Sequence, residues 1–176
     1  MKAAVYIAAS IDGYIADSDG GVEWLDCVPT PEGDDLGFFD FMAGIDALVM
    51  GRLSYETVLG FGQWFYNRPV YVWSSREIEI PPELKDKVFP VGGTVAEVCD
   101  TLGRDGHASL YIDGGLTVQS FLAEDAVDEL IITRIPMVLG GGVPLFGGLE
   151  APLRFRHVGT EVLAGELVKS RYLRER

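Results

Sequence analysis

Short apolar runs alternate with polar, glycine-containing segments along most of the chain, and this pattern predicts buried strands separated by helices. Each run is about as long as a strand that is covered on both faces. The predicted strands of this kind are Ala3–Ala9, Ala47–Met50, Pro69–Trp73, Val88–Val91, Ser109–Ile112 and Glu129–Ile135. Near the C-terminus, residues 155–162 and 167–173 alternate apolar and polar positions, which predicts an antiparallel pair.

Four helices are predicted between the earlier strands; the first three have N-capping residues, and glycines end the first and the third. Their expected limits are Asp34 or Asp35 to Gly44, Ser54 to Leu59, Thr94 to Gly103, and Gly115 to Leu122. The sequence therefore predicts a single α/β domain over residues 1–176. Its central mixed sheet has about eight strands and is mostly parallel, with helices on both faces and an antiparallel end.

Composition narrows the classes of function. Hydrophobic residues make up 48% and charged residues 23% of the chain, as expected for a globular protein. The formal charge of −13 disfavours binding to nucleic acid or to anionic membranes. No apolar stretch approaches the roughly 20 residues of a membrane span. Two cysteines and two histidines are too few for a disulfide framework or a metal site, so a cytoplasmic protein without bound metal is expected.

The residues best suited to ligand binding follow the predicted parallel strands, at Ser10, Gly51, Ser74 and Asp113. Ligands of open α/β sheets bind beyond the carboxyl ends of the strands. Gly51 and Arg52 link a strand to a helix, and a helix N-terminus with a guanidinium suits a phosphate. An ordinary strand-to-helix turn without a ligand explains the same residues.

Two further segments on this edge are compatible with phosphate. Gly114 and Gly115 follow a strand and open a helix, although the full G-x-G-x-x-G dinucleotide motif is missing. Ser74, Ser75 and Arg76 offer two hydroxyls and a guanidinium, which suit a ribose phosphate. A tight turn and a solvated loop are the alternatives.

Taken together, these segments resemble the dihydrofolate reductase superfamily. Residues 50–56, 73–75 and 111–122 are similar to its three NADPH-binding segments, in the same order. Residues 10–13 (Ser-Ile-Asp-Gly) and 139–146 (Leu-Gly-Gly-Gly-Val-Pro-Leu-Phe) are more similar to another branch, the reductase domain of the bifunctional riboflavin-biosynthesis deaminase/reductase and its stand-alone relatives. The resemblance spans nearly the whole chain and implies a three-layer dihydrofolate reductase-like fold.

The resemblance also implies a set of NADPH-binding residues. Arg52 would lie near the 2′-phosphate, the start of the second helix would bind the diphosphate, and Ala9 and Ile15 would flank the nicotinamide. A cis peptide bond between Gly114 and Gly115 is a candidate. The full implied set is Ala9, Ile15, Gly51, Arg52, Ser54, Ser74, Ser75, Arg76, Gly114, Gly115, Leu116, Thr117 and Val118.

On the substrate side, Asp35 matches the folate reductase acid and Thr133 matches the threonine that supports it. An acid half-buried against aromatic rings would have a raised pKa and could relay a proton, or Asp35 simply caps a helix. Asp12 is the alternative acid, because its Ser-x-Asp-Gly turn marks the riboflavin branch, or it is an ordinary turn residue. Trp24 and Phe39 are either walls of the substrate site or core residues, and a core position is favoured for Phe39.

The resemblance implies an NADPH-dependent reductase that transfers a hydride to a pteridine or pyrimidine, most closely a 5-amino-6-(5-phosphoribosylamino)uracil reductase. Dihydrofolate reduction is an alternative, and an NADP-binding sensor or interaction module without turnover is another. The zinc deaminase motif and an evident basic cluster for a substrate phosphate are both missing. A homodimer is compatible with the family and with the apolar fraction.

Overall fold

The apolar runs form one eight-stranded sheet, and the computed structural model describes all 176 residues. The strands are β1 (Lys2–Ser10), β2 (Tyr14–Ala16), β3 (Ala47–Gly51), β4 (Val70–Trp73), β5 (Val88–Val91), β6 (Ser109–Asp113), β7 (Glu129–Ile135), β8 (Val143–Pro144), β9 (Phe155–Leu163) and β10 (Leu167–Arg174). The helices are α1 (Phe38–Ala43), α2 (Arg52–Gly60), α3 (Val95–Arg104) and α4 (Gly115–Ala123), with short 3-10 helices at Glu23–Cys27 and Pro82–Leu84.

The sheet has the order β5-β4-β3-β6-β1-β7-β10-β9, and β2 pairs with β8 in a separate two-stranded sheet. Every pairing from β5 across to β7 is parallel, and the pairings of β10 with β7 and with β9 are antiparallel. This arrangement confirms the predicted α/β class with a mostly parallel sheet and an antiparallel end.

Helices cover both faces of the sheet. The apolar residues of α3 and α4 pack on one face in a cluster of 19 buried residues that includes Val98 and Phe121. Residues from α1 and α2, among them Met42 and Tyr55, pack on the opposite face in a second cluster of 10 buried residues. Burial of these side chains is the main force that holds the layers together.

The pairing of β1 with β6 ends before either strand does, and we call the gap that this leaves between the two strands the cleft. The two strands pair only from Lys2 to Ala4, whereas β1 pairs with β7 from Ala4 to Ser10. Near the point of separation, the hydroxyl of Tyr111 donates a hydrogen bond of 2.9 Å to the carbonyl of Tyr6. The cleft lies toward the carboxyl ends of β1 and β6, beyond their last paired residues, Ala4 and Tyr111.

Several local expectations are corrected. Ser54 is the third residue of α2 rather than its N-cap, because Gly51 takes the extended conformation (φ −74°, ψ 161°) and the helix begins directly after it. The first helix begins at Phe38, later than expected, with Gly37 as its N-cap in the left-handed region. The glycine-rich loop of residues 139–146 contains β8, whose partner β2 is far away in the sequence. No helix is long and apolar enough to cross a membrane.

Candidate functional site

The strand ends that carry the candidate binding residues lie side by side at the mouth of this cleft. Gly51 of β3 lies opposite Trp73 of β4, and Met50 lies opposite Asp113 of β6. The turns that follow these strands therefore share one edge of the sheet. This edge brings together the three glycine- or serine-containing segments that the sequence indicates.

The helices that start at this edge differ in their N-terminal caps. In α3, the side chains of Thr94 and Glu97 form a capping box that binds the free backbone N–H groups. In α2 and α4, the N-caps are Gly51 and Gly114, and no side chain caps either helix. The first-turn N–H groups of α2 and α4 are thus free to bind an anion, and the helix dipoles favour one there.

Close contacts join the starts of these two helices. A Cβ on Gly51 would lie 3.1 Å from Oγ1 of Thr117, and one on Gly114 would lie 2.2 Å from Oγ of Ser54. Gly114 also has φ +88°, a conformation that side chains disfavour. All peptide bonds in the chain are trans, so the candidate cis bond between Gly114 and Gly115 is wrong.

The small sheet of β2 and β8 packs over the start of α4. A Cβ on Gly115 would lie 2.9 Å from Cγ1 of Val143, 3.1 Å from the carbonyl oxygen of Pro144 and 3.3 Å from Cδ1 of Ile15. The side-chain amide of Gln119 donates a 2.8 Å hydrogen bond to the Pro144 carbonyl. This arrangement puts Ile15 beside the second glycine-fronted helix.

The remaining residues of the implied cofactor set differ in exposure. Ala9, Thr117 and Val118 are buried, whereas Leu116 is 72% exposed. Arg52, at the start of α2, forms an ion pair of 2.5 Å with Glu56 one turn later.

The segment after β4 folds back on itself. Oγ of Ser74 accepts a hydrogen bond from the Arg76 amide and donates one to the Arg76 carbonyl, and the side chains of Ser75 and Arg76 are exposed.

Asp35 has the surroundings of a capping residue. Its two oxygens accept hydrogen bonds from the backbone N–H groups of Gly37 (3.0 Å) and Phe39 (2.6 Å), and no hydrogen bond joins it to the buried Thr133. These backbone bonds lower the pKa of Asp35, so the expected rise is wrong. The core position favoured for Phe39 is also wrong, because this residue is 64% exposed. Trp24 packs beside the small apolar cluster of Val28, Ile135 and Leu167.

Asp12 is held by an extended set of hydrogen bonds. The Ser10 hydroxyl donates to its Oδ1 (2.6 Å), and the backbone N–H groups of Leu139 and Gly140 donate at 3.1 Å and 2.7 Å. These bonds lower its pKa to about 2. Asp12 is therefore ionised at neutral pH.

Asp113 is a further acid at this site; the sequence indicated it as the end of a strand on this edge but not as an acid that could hold a proton. It ends β6 on the cleft edge, near Tyr111 and Tyr66. Burial raises its pKa, and the Gly114 amide and the nearby Tyr111 hydroxyl offset only part of the rise. A polar residue at the end of an otherwise apolar strand was the available signal.

Known proteins resemble this chain along its whole length. The model of the RibD C-terminal domain family matches residues 2–169. A provisionally named riboflavin biosynthesis protein from Shewanella sp. PV-4 has a crystal structure that is 47% identical, with a TM-score of 0.95 and full coverage of both chains. The uncharacterized protein YwjB of Bacillus subtilis is 36% identical over 98% of each chain.

More distant structures share the fold. A diaminohydroxyphosphoribosylaminopyrimidine deaminase/5-amino-6-(5-phosphoribosylamino)uracil reductase from Thermotoga maritima is 19% identical with a TM-score of 0.71, over 99% of this chain and 56% of that one. A dihydrofolate reductase from Enterococcus faecalis, complexed with NADP(H), is 21% identical with a TM-score of 0.70, over 99% and 97% of the two chains. The chain therefore belongs to the RibD C-terminal domain family, and family and fold together support an oxidoreductase of the dihydrofolate reductase-like kind.

Proposed function

We propose that this protein is an NADPH-dependent reductase that transfers a hydride to a pyrimidine- or pteridine-type substrate, with 5-amino-6-(5-phosphoribosylamino)uracil as the leading candidate. One observation carries the proposal. Two neighbouring helices, α2 and α4, begin with glycine N-caps and free N–H groups at one cleft, whereas α3 on the same edge is capped by its own side chains. Such a pair of helix starts suits the several phosphates of a dinucleotide.

The residues at the cleft fit NADPH. The backbone at Gly51 and the guanidinium of Arg52 would hold one phosphate group, and the first turn of α4 would hold the diphosphate. The side chain of Ser54 in α2 lies against Gly114, and that of Thr117 in α4 lies against Gly51. These two contacts keep the two helix starts at a fixed separation. Ala9 and Ile15 would border the nicotinamide, which when bound supplies the hydride.

Asp113 is the best suited of the acids to hold a proton in the cleft. The pKa of Asp12 is lowered by the Ser10 hydroxyl and by backbone N–H groups, and that of Asp35 by backbone N–H groups, so both are carboxylates at neutral pH and poor proton donors. Burial acts in the opposite direction on Asp113 and favours its neutral form. Asp113 also ends β6 on the same edge, opposite Met50 and directly before the Gly114 cap of α4, so we propose Asp113 as the proton source in place of Asp35 or Asp12.

The substrate assignment depends on the family. The RibD C-terminal domain model covers residues 2–169, and the Thermotoga maritima neighbour is named as a uracil reductase. Dihydrofolate is the weaker candidate, because the carboxylate of Asp35 is engaged by Gly37 and Phe39 and is not bonded to Thr133.

The experiment measures binding and turnover separately. NADPH fluorescence on mixing reports binding, and loss of nicotinamide absorbance with 5-amino-6-(5-phosphoribosylamino)uracil or dihydrofolate reports turnover. We expect NADPH to bind and to be oxidised with the uracil substrate. Binding without oxidation of any substrate would support the sensor or interaction-module alternative, and the absence of binding would refute the proposal.

A further inference from the structure

We infer that Asp12 is a positioning residue: it fastens the glycine-rich loop of residues 139–146 over the start of α4 and thereby sets the affinity for the cofactor. This inference rests on the proposed NADPH site, but it assigns Asp12 a role outside the chemical step. Asp12 is exposed at a turn, yet its carboxylate is fully engaged.

The carboxylate joins two segments that are far apart in the sequence. Its Oδ1 accepts from the Ser10 hydroxyl and from the amide of Leu139, and its Oδ2 accepts from the amide of Gly140. Ser10 is fully buried, and its hydroxyl oxygen also accepts from the Tyr14 amide at 2.9 Å. The Asp12 carboxylate is therefore held in place by Ser10, at the end of β1, and binds the loop through its other hydrogen bonds.

The fastened loop carries β8 to the cofactor cleft. Val143 and Pro144 pair with β2 and lie against Gly115, at the first turn of α4. The end of the glycine-rich loop is also bound to the segment after Asp12, because the Leu145 amide donates a 2.9 Å hydrogen bond to the Gly13 carbonyl. Since the loop and the helix start are in direct contact, releasing the loop would loosen one wall of the diphosphate site.

An asparagine cannot replace these contacts. The carboxylate uses both oxygens as acceptors, whereas asparagine offers one acceptor oxygen and an NH₂ group that would face an N–H donor. Glutamate keeps both oxygens but adds a methylene to a turn that is closed by a 3.0 Å bond from Gly13 N–H to the Ser10 carbonyl.

Asp46 provides a matched control at the opposite edge of the sheet. Its carboxylate also accepts two backbone N–H groups from a distant segment, those of Ala108 (2.8 Å) and Ser109 (2.9 Å). Both of these N–H groups bind one oxygen, Oδ2, so Asp46→Asn removes the charge of a comparable carboxylate far from the cleft while the amide oxygen still accepts both bonds. It separates the effect of losing a carboxylate charge from the effect of losing the bonds that hold the loop.

The test compares Asp12→Asn with Asp46→Asn in NADPH titrations and steady-state kinetics. If the loop is fastened in only a tenth of the Asp12→Asn molecules, the apparent Kd and KM for NADPH rise about tenfold, while kcat changes far less. Asp46→Asn is expected to leave both values unchanged. An unchanged KM in Asp12→Asn, an equal rise in both variants, or a fall in kcat alone would overturn the inference.

Amide hydrogen exchange tests the fastening independently of the enzyme's activity. The amides of Leu139 and Gly140 should exchange faster in Asp12→Asn than in the wild type and Asp46→Asn. If the wild type binds no NADPH, the proposed function fails, and this measurement alone decides whether Asp12 holds the loop. Unchanged exchange at both amides would refute the fastening, whatever the cofactor result.

Discussion

At the scale of single residues, we expect Arg52 to determine which nicotinamide cofactor the cleft prefers. It is the first residue of α2, and its only ion pair is with Glu56, half-exposed one turn along the helix. A pair of this kind contributes little, so the guanidinium can turn to a phosphate at small cost. The discrimination between NADPH and NADH should therefore depend on this side chain.

We expect Arg52→Ala to raise the Kd for NADPH about tenfold or more, because a charge-assisted bond to the 2′-phosphate is lost. The Kd for NADH, which lacks that phosphate, should change much less. Fluorescence titration with both cofactors measures the difference. Glu56→Gln is the control: it leaves the guanidinium and removes its partner, so NADPH should bind as tightly as before or more tightly. Equal losses for both cofactors in Arg52→Ala would contradict this role.

The raised pKa of Asp113 should be detectable in the pH dependence of the unfolding free energy. Its folded-state pKa is raised, so the folded protein holds this proton more tightly than the unfolded chain does. The corresponding stability is present below the ordinary aspartate pKa and is lost as the pH rises through the raised value.

Asp113→Asn removes this titration and keeps an acceptor for the Gly114 amide. Compared with the wild type, the variant should become progressively more stable as the pH rises through that window, in urea unfolding at a series of pH values. Parallel stability curves would show that Asp113 has no raised pKa. If Asp113 is also the proton source, the variant should have a lower kcat with NADPH binding unchanged.

The sequence indicated which residues lie at the strand ends, but it did not indicate the protonation states of the acids among the candidate residues. The glycines and arginine at the strand ends were recognisable because their types suit phosphate and they follow apolar runs. The pKa values of Asp35 and Asp113 were not, because they depend on which backbone N–H groups each carboxylate reaches. The pKa of Asp35 was expected to be raised and is lowered, whereas Asp113 was noted only as a strand end and its pKa is raised.

At the scale of elements, strands were predictable and their partners were not. The bounds of β5 and β7 match the prediction, because uninterrupted or nearly uninterrupted apolar runs are local signals. β8 is only two residues long and forms because β2 lies beside it. Ser54 was interpreted as a cap, since a serine beside a helix start is typical of one; its hydroxyl instead lies against Gly114, a contact between two elements.

That contact gives a test of how the two helix starts are held. In Gly114→Ala the new Cβ would lie 2.2 Å from Oγ of Ser54 and keep a positive φ, so we expect a loss of about 2–4 kcal/mol in unfolding free energy and weaker NADPH binding. Ser54→Ala combined with Gly114→Ala should recover part of the loss, because the hydroxyl is gone while the backbone strain remains.

Gly60 supplies the control, since it ends α2 and nothing lies within 4 Å of a Cβ built there. Gly60→Ala should be neutral or stabilising by up to about 1 kcal/mol. If Gly60→Ala and Gly114→Ala changed the free energy of urea unfolding equally, the close contact between the starts of α2 and α4 would be refuted.

At the scale of the whole molecule, one buried carboxylate joins the parallel and antiparallel parts of the sheet. Glu129 of β7 has a side chain that is only 4% exposed, and it pairs with Lys2 of β1 (2.6 Å) and with Arg171 of β10. These three strands are neighbours in the sheet. Burial alone would raise the pKa of Glu129, but the hydrogen bonds from Arg171 and Lys2 outweigh it, and the pKa is lowered. The carboxylate is therefore ionised and shared at neutral pH.

Glu129→Gln keeps the volume and removes the charge, and we expect it to cost about 1–3 kcal/mol of unfolding free energy at neutral pH. The cost stays below that of a fully enclosed pair, because Lys2 and Arg171 are half-exposed and water can solvate them. Because the pKa is lowered in the fold, this stability is present above the ordinary glutamate pKa and is lost as the pH falls through the lowered one. The unfolding free energies of wild type and variant should thus converge in acid, as measured by urea unfolding at both ends of that range.

Glu150→Gln, at an exposed position without an ion pair, should follow the wild type throughout. A gap between wild type and Glu129→Gln that persists unchanged into acid would mean that packing, and not the shared charge, joins the two parts of the sheet.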